Sequence, residues 1–247
     1  MSVLNILFVG SDEVARSIAK KSDSRDVDNY IYKDLKEGGL FSTISILRPN
    51  NYPDKPKPFF TSLTVSDYGI VEVNKVDGIF GEVIVSMASA GIKEGLVILN
   101  ASEGEWVDDS QVKALLQQAG LSNWKFIEND GVLIREKLIE VLNQIKSNDE
   151  DGFVVAVDQA FTVKGVGLVA IGHVQSGKVN KHDELILAGS EGNAIARSLQ
   201  VMDLDVDVAN IGDRVGLAMR TAGPFREDLL GKGSILADSN ERFTVES

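Results

Sequence analysis

The segment Phe161-Thr-Val-Lys-Gly165-Val-Gly167-Leu-Val-Ala-Ile-Gly172-His-Val-Gln-Ser-Gly177-Lys-Val179 holds two competing readings. Gly165-Val-Gly167-Leu-Val-Ala170 has the glycine spacing of a dinucleotide-binding turn. Such a turn must close a strand and open a helix, so that phosphates meet the free N–H groups of the helix N-terminus. Here strand sequence lies on both sides, and the glycines read as a bend between two paired strands. The same texture extends in both directions. Strand-like runs at 153–158, 166–174, 184–188, 193–201, 213–219 and 233–237 are separated by glycine-bearing turns such as Ser176-Gly-Lys178 and Gly189-Ser-Glu-Gly-Asn193. No amphipathic helix fits between them. Short strands at this spacing predict a small antiparallel β-barrel.

Upstream the pattern differs. Val3–Val9 is an apolar run ending at Gly10, which suits a buried parallel strand. A helix is expected over 12–21, and further strands over 28–33, 41–47, 69–73, 95–100 and 123–127. A helix over 79–90 is closed by Gly91. Asp108, Asp109 and Ser110 supply N-cap chemistry for a helix ending at Gly120. Over 131–146, Ile134, Leu138, Val141, Leu142 and Ile145 recur at helical spacing. This alternation predicts a parallel sheet covered by helices on both faces. Four of the five prolines (Pro49, Pro53, Pro56 and Pro58) predict an irregular loop after the 41–47 strand. The polar stretch Ser147–Gly152 reads as a linker, which gives domains at 1–147 and 152–247.

Composition sets limits. The chain has 247 residues, 25 basic against 37 acidic, and a net charge of −12. Both halves are acidic: 16 basic and 21 acidic residues over 1–146, and 9 and 16 over 147–247. A dominant grip on a nucleic-acid backbone normally needs a basic face, so no DNA partner is expected. A smaller basic contact patch stays compatible with these numbers. The absence of cysteine excludes disulfides, zinc–thiolate sites and cysteine nucleophiles. No apolar run approaches a membrane span, so no membrane partner is expected. Asp203, Asp205 and Asp207 begin like a calcium loop, but Val208 and Arg214 stand where glycine and glutamate are needed. Three carboxylates on the wet side of a strand is the simpler expectation. His173 and His182 are the only histidines, and no metal site is expected from them.

Gly10-Ser-Asp-Glu-Val-Ala15-Arg16-Ser17 opens a helix after a buried strand and partly matches a phosphate-binding loop. Gly10 and Ser17 fit, whereas Ala15 replaces a glycine and Arg16 the lysine. Backbone N–H groups must wrap the phosphates, and a Cβ at Ala15 costs about 1–2 kcal/mol if that geometry is left-handed. Asp12 and Glu13 add like charge beside it.

The segment 161–179, continued through Asp183-Glu-Leu185, resembles the second domain of elongation factor Tu and its relatives, with Leu168 in place of the usual threonine. Ser198-Leu-Gln-Val-Met-Asp203 and Gly212-Asp-Arg214-Val-Gly216-Leu217 resemble the SelB branch of that family, including archaeal SelB-like factors. The resemblance implies a Rossmann-like P-loop GTPase-type domain followed by the barrel. It implies a cytoplasmic translation elongation factor whose partners are aminoacyl-tRNA, the ribosome or another translation protein. No third domain is expected within these 247 residues.

The family's GTPase signatures are altered here. Arg48-Pro-Asn-Asn51 stands where the magnesium-binding DxxG motif is expected, and no histidine precedes His173 to position a water. Asp54, in the same loop, is a possible substitute carboxylate. Asn74-Lys-Val-Asp77 spells the guanine-reading motif literally, but one strand too early. After the next strand the chain reads Asn100-Ala-Ser-Glu103, and Glu128-Asn-Asp130 replaces the last signature. The degenerate nucleotide-site residues are therefore Gly10, Arg16, Ser17 and Asn100, with no catalytic residue and no metal ligand. The expected reading is a pseudo-GTPase acting as a binding module, with no cofactor. GTP or GDP with Mg is expected only under the alternative, a divergent but functional GTPase using Arg16 and Ser17.

Overall fold

The computed structural model describes residues 3–24, 26–35, 41–100, 107–144 and 152–239. The chain divides into two compact units, Val3–Ile145 and Lys146–Ser247. Of the stretch expected as a linker, only Gly152 is among the described residues.

The first unit contains β1 (Val3–Val9), α1 (Asp12–Ile18), β2 (Lys20–Ser24), β3 (Val27–Leu35), β4 (Phe41–Pro49), α2 (Pro56–Leu63), β5 (Tyr68–Val73), α3 (Gly78–Ser89), β6 (Gly95–Leu99), α4 (Asp109–Gln118), β7 (Lys125–Ile127) and α5 (Gly131–Gln144). The sheet order is β2-β3-β4-β1-β5-β6-β7. The strands from β4 through β1 to β7 run parallel, and the β2–β3–β4 edge is antiparallel. Alternation along the strands sorts the apolar residues between two faces. Leu4, Ile6 and Phe8 of β1 join Ile18 of α1 and Ile134, Leu138 and Leu142 of α5 in one cluster. Leu7 joins Phe59 of α2, Ile84 and Met87 of α3, Leu116 of α4 and Trp124 in the other. The sheet is covered on both faces, as the sequence predicts, but its β2–β3–β4 edge is antiparallel where a parallel sheet is expected, because the chain between Ser24 and Val27 is too short for a crossover.

Three local expectations need correction. The first helix stops at Ile18, because Ala19 is already extended and Lys20 and Lys21 pair with Ile31 and Tyr30 across the β2–β3 hairpin. The proline-rich loop contains a helix, α2, whose first turn takes Pro56 where no intrahelical N–H is required. The three aspartates near 205 do not share a strand. Asp203 sits in a turn at φ 64°, and Asp205 and Asp207 flank Val206 at the end of a short strand.

The second unit contains β8 (Phe153–Val163), β9 (Gly167–Asn180), β10 (Glu184–Leu187), β11 (Asn193–Val201), β12 (Leu204–Val206), β13 (Val208–Asn210), β14 (Arg214–Ala222) and β15 (Ile235–Ala237). The order β10-β15-β8-β9-β14-β11 closes on itself through a β10–β11 pairing, forming an antiparallel barrel. The barrel interior is filled by Val155, Val174, Leu185, Leu199, Leu217 and Leu236. Gly165 and Gly167 adopt φ of 84° and 99° in the β8–β9 hairpin, a geometry L side chains rarely take. The dinucleotide-like spelling is thus a hairpin bend.

Candidate functional site

In a nucleotide-binding α/β domain the phosphates would lie at the head of the first helix. Here β1 leads through Gly10 directly into Ser11, the N-cap of α1, whose hydroxyl accepts the Val14 N–H at 3.3 Å. Asp12 and Glu13 occupy the first turn, where acidic side chains complement the helix dipole. Residues 12–15, which a phosphate loop would leave as open backbone, are already helical.

The space before the helix is filled from β5. Glu72 is buried, and its Oε2 accepts the Ser11 N–H at 2.5 Å while its Oε1 accepts Asn100 Nδ2 at 2.7 Å. A Cβ on Gly10 would lie 2.5 Å from Phe8 Cζ and 2.7 Å from Glu72 Oε2, so glycine is required for close approach. A carboxylate from the protein therefore stands where a nucleotide phosphate would seek backbone N–H groups. Motif spacing misses Glu72, although it is the one charged residue in the apolar run Tyr68–Val73.

From β4, Arg48 donates through Nε to the Gly10 carbonyl at 2.8 Å. Its Nη1 reaches Asn50 Oδ1 at 2.9 Å and Asp28 Oδ2 at 3.3 Å. Asp28 on β3 is buried and also accepts Lys21 Nζ at 2.7 Å, Ser24 Oγ at 2.7 Å and Asn50 Nδ2 at 3.0 Å. Burial alone would raise its pKa, but these donors, Lys21 foremost, hold it below the usual carboxylate value. Asp12 accepts from Tyr30, Arg16 and Lys21, which keep it well below the usual range. Burial and the Asp12 bond push the Tyr30 phenol up to about 12. Both acids are thus ionised and satisfied by protein cations and hydroxyls. Among the described residues, no group of three or more acidic or histidine side chains is placed to hold a metal. Asp54 is exposed.

Of the site residues read from sequence, Gly10 and Asn100 come together around Glu72. Arg16 lies on the exposed side of α1, paired with Asp12 four residues earlier. Ser17 Oγ donates back to the Val14 carbonyl at 2.7 Å. Asn100 continues the backbone ladder of β6 by donating its N–H to the Val73 carbonyl at 3.1 Å. Ala101, Ser102 and Glu103 lie outside the described residues. In the literal Asn74–Asp77 motif, Asp77 caps α3 by accepting from the N–H groups of Ile79 and Phe80 at 3.0 Å each. Asp130 caps α5 in the same way, through Val132 and Leu133.

No protein-family model matches the chain. It is 32% identical over 241 residues to an uncharacterized protein of Methanocaldococcus jannaschii, MJ0325, covering 97% of this chain and 73% of that one. It is 33% identical over 137 residues to the selenocysteine-specific elongation factor of Escherichia coli, covering 53% of this chain and 22% of that factor. Its fold is similar to that of the translation elongation factor SelB of Methanococcus maripaludis, solved in complex with the GTP analogue GppNHp. That match has a TM-score of 0.74 at 20% identity and covers 97% of this chain and 56% of SelB. The chain therefore spans about half of that solved structure and about a fifth of the E. coli factor.

Proposed function

We propose a function from one premise: this chain belongs to the family of M. jannaschii MJ0325 and is a SelB-like, translation elongation factor-like protein. It acts in protein synthesis as a binding module that neither needs nor hydrolyses GTP. Its partner is a component of the translation machinery, an aminoacyl-tRNA, the ribosome or a translation protein, met in the cytoplasm. Among the described residues no helix is long and apolar enough to cross a membrane.

The observation that carries this reading is the Glu72 carboxylate on the Ser11 N–H. Phosphoryl transfer depends on positioning and on charge compensation by magnesium and a lysine. A phosphate at the head of α1 would have to displace Glu72 and take up a place beside Asp12 and Glu13. Arg48 stands in place of a metal-organising carboxylate and is already committed to Gly10 and Asp28.

Titration of the purified chain with a fluorescent GDP or GTP analogue, with and without magnesium, tests the reading. No saturable binding and no phosphate release above an enzyme-free blank are expected. Saturable, magnesium-dependent binding that is lost on Arg16→Ala would establish the functional GTPase instead.

A further inference from the structure

On the face of the first unit that carries α1 and α5, an open groove of about 530 Å³ runs beside the β2–β3 edge. Five cationic side chains line it: Arg16 from α1, Lys20 and Lys21 from β2, Lys33 from β3 and Arg135 from α5. Among the described residues, no carboxylate lines it. In a unit with more acidic than basic residues, such a cluster is not what charge-balancing alone would leave.

The cations differ in how they are held. Arg16 pairs with Asp12, and Lys21 is shared between Asp12 and Asp28. Arg135 donates through Nε to the Ile18 carbonyl at 2.7 Å and through Nη2 to the Ser17 carbonyl at 2.8 Å. It thereby caps the C-terminal end of α1 and lies 4.9 Å over the Tyr32 ring. These contacts fix the guanidinium without neutralising it. Lys20 and Lys33 are exposed and pair with no carboxylate among the described residues. Lys20, Lys33 and Arg135 thus present three uncompensated positive charges along one trough.

We propose that this groove binds the phosphate backbone of RNA, independently of base sequence and of the head of α1. Choosing RNA over other polyanions rests on the translation-factor reading above; the anionic character of the ligand rests on the groove alone. The form of the groove supports a backbone over a small ligand. Its charged ends stand on long, solvent-facing side chains around an open trough, without the buried polar anchors of an enclosed pocket. The face of Tyr32 that would stack a base is covered by Arg135, which leaves phosphate contacts as the available grip. Three neutralised phosphates give a slope of log affinity against log salt of about −2 to −3.

The test uses the full chain and a short, fluorescein-labelled RNA duplex of mixed sequence, read by anisotropy across a salt series. Lys20→Glu with Lys33→Glu should weaken binding by about tenfold or more and flatten the salt slope. The control, Lys57→Glu with Lys93→Glu, changes the same net charge at exposed positions elsewhere and should leave both unchanged. Equal loss in the two double variants, or no loss in either, would overturn the groove while leaving the translation reading untouched. Micromolar inorganic pyrophosphate displacing the duplex completely would also overturn it, in favour of a small-anion site. Fluorescent GTP binding, measured separately, reports on the head of α1 and fails or succeeds independently.

Discussion

Arg48 Nε donates to the Gly10 carbonyl at 2.8 Å, so an arginine ties β4 to the turn at the head of α1. The same guanidinium is one of two cations facing the buried Asp28. Arg48→Ala removes a charge-assisted hydrogen bond and leaves Lys21 as the cation paired with Asp28. A loss of about 2–4 kcal/mol is expected. Both tryptophans, Trp106 and Trp124, belong to the first unit, so tryptophan fluorescence in a denaturant series reads that unit separately. A loss under about 0.5 kcal/mol would show that the network is not structural.

In the barrel, His173 on β9 lies opposite Ala156 of β8 and Arg214 of β14. Its Nε2 is buried without a hydrogen-bond partner. Burial first, and then Arg214, push its pKa down from 6.5 to about 4, against the opposing pull of Asp158. The unfolded chain therefore binds a proton between these values that the folded barrel does not. This group's contribution is intact above pH 6.5, declines as pH falls toward 4 and levels off below that. The full difference is about 3 kcal/mol. Burial raises the Asp213 carboxyl, which works in the opposite sense at the acid end. The comparison is therefore wild type against His173→Leu, by hydrogen exchange of β9 peptides at several pH values. The variant should lose most of the decline between pH 6.5 and 4; an unchanged profile would refute the role of His173.

The literal Asn74-Lys-Val-Asp77 sequence is open to a direct check. Asp77 accepts two N–H groups at the start of α3 and is exposed. Asp77→Ala should cost about 1 kcal/mol of stability in the first unit, the usual value of an N-cap, and Asp77→Asn or Asp77→Ser much less. A guanine-reading aspartate would not be rescued by serine. Loss of a nucleotide-dependent thermal shift in Asp77→Ser, with stability retained, would restore the motif to function.

Elements marked by their own residues were legible in the sequence. β1 matches its apolar run, α4 begins one residue after its Asp108 cap, and α3 ends just before Gly91. What escaped was set by distant contacts. Lys20 and Lys21 continue a helical pattern on paper, but pairing with β3 and the bonds of Lys21 to Asp12 and Asp28 make them a strand. Pro56 and Pro58 signal a loop, yet Phe59 and Leu63 bury one face of a helix that starts at the first proline. Near the site, the residues matching a phosphate loop were visible, but their filler was not. Glu72 is 61 residues from Ser11, and no local spacing couples them.

That separation governs the last expectation, the repair of the phosphate-loop spelling. Ala15→Gly with Arg16→Lys writes the missing glycine and lysine into the chain. In the fold, however, Ala15 is a fully buried residue in the middle of α1, packed in the cluster with Phe8 and Ile134. Glycine there removes a buried methyl and adds backbone freedom, a loss of about 1–2 kcal/mol. It does not open a loop, because residues 12–15 remain helical and Ser11 still caps them. Lysine at position 16 would project from the same exposed side of α1 as Arg16, which bonds Asp12 and not the Gly10 turn. The Ser11 N–H would still be engaged by Glu72. The double variant should therefore be less stable and gain no magnesium-dependent GTP binding in the fluorescent titration. Removing the filler as well, by Glu72→Ala, frees one N–H but leaves Asp12 and Glu13 beside it and, among the described residues, no acidic cluster placed to hold a metal, so the triple variant should also fail to bind. Saturable, guanine-selective binding by the double variant would show that the spelling alone had been at fault, and that the helical head of α1 yields to a phosphate.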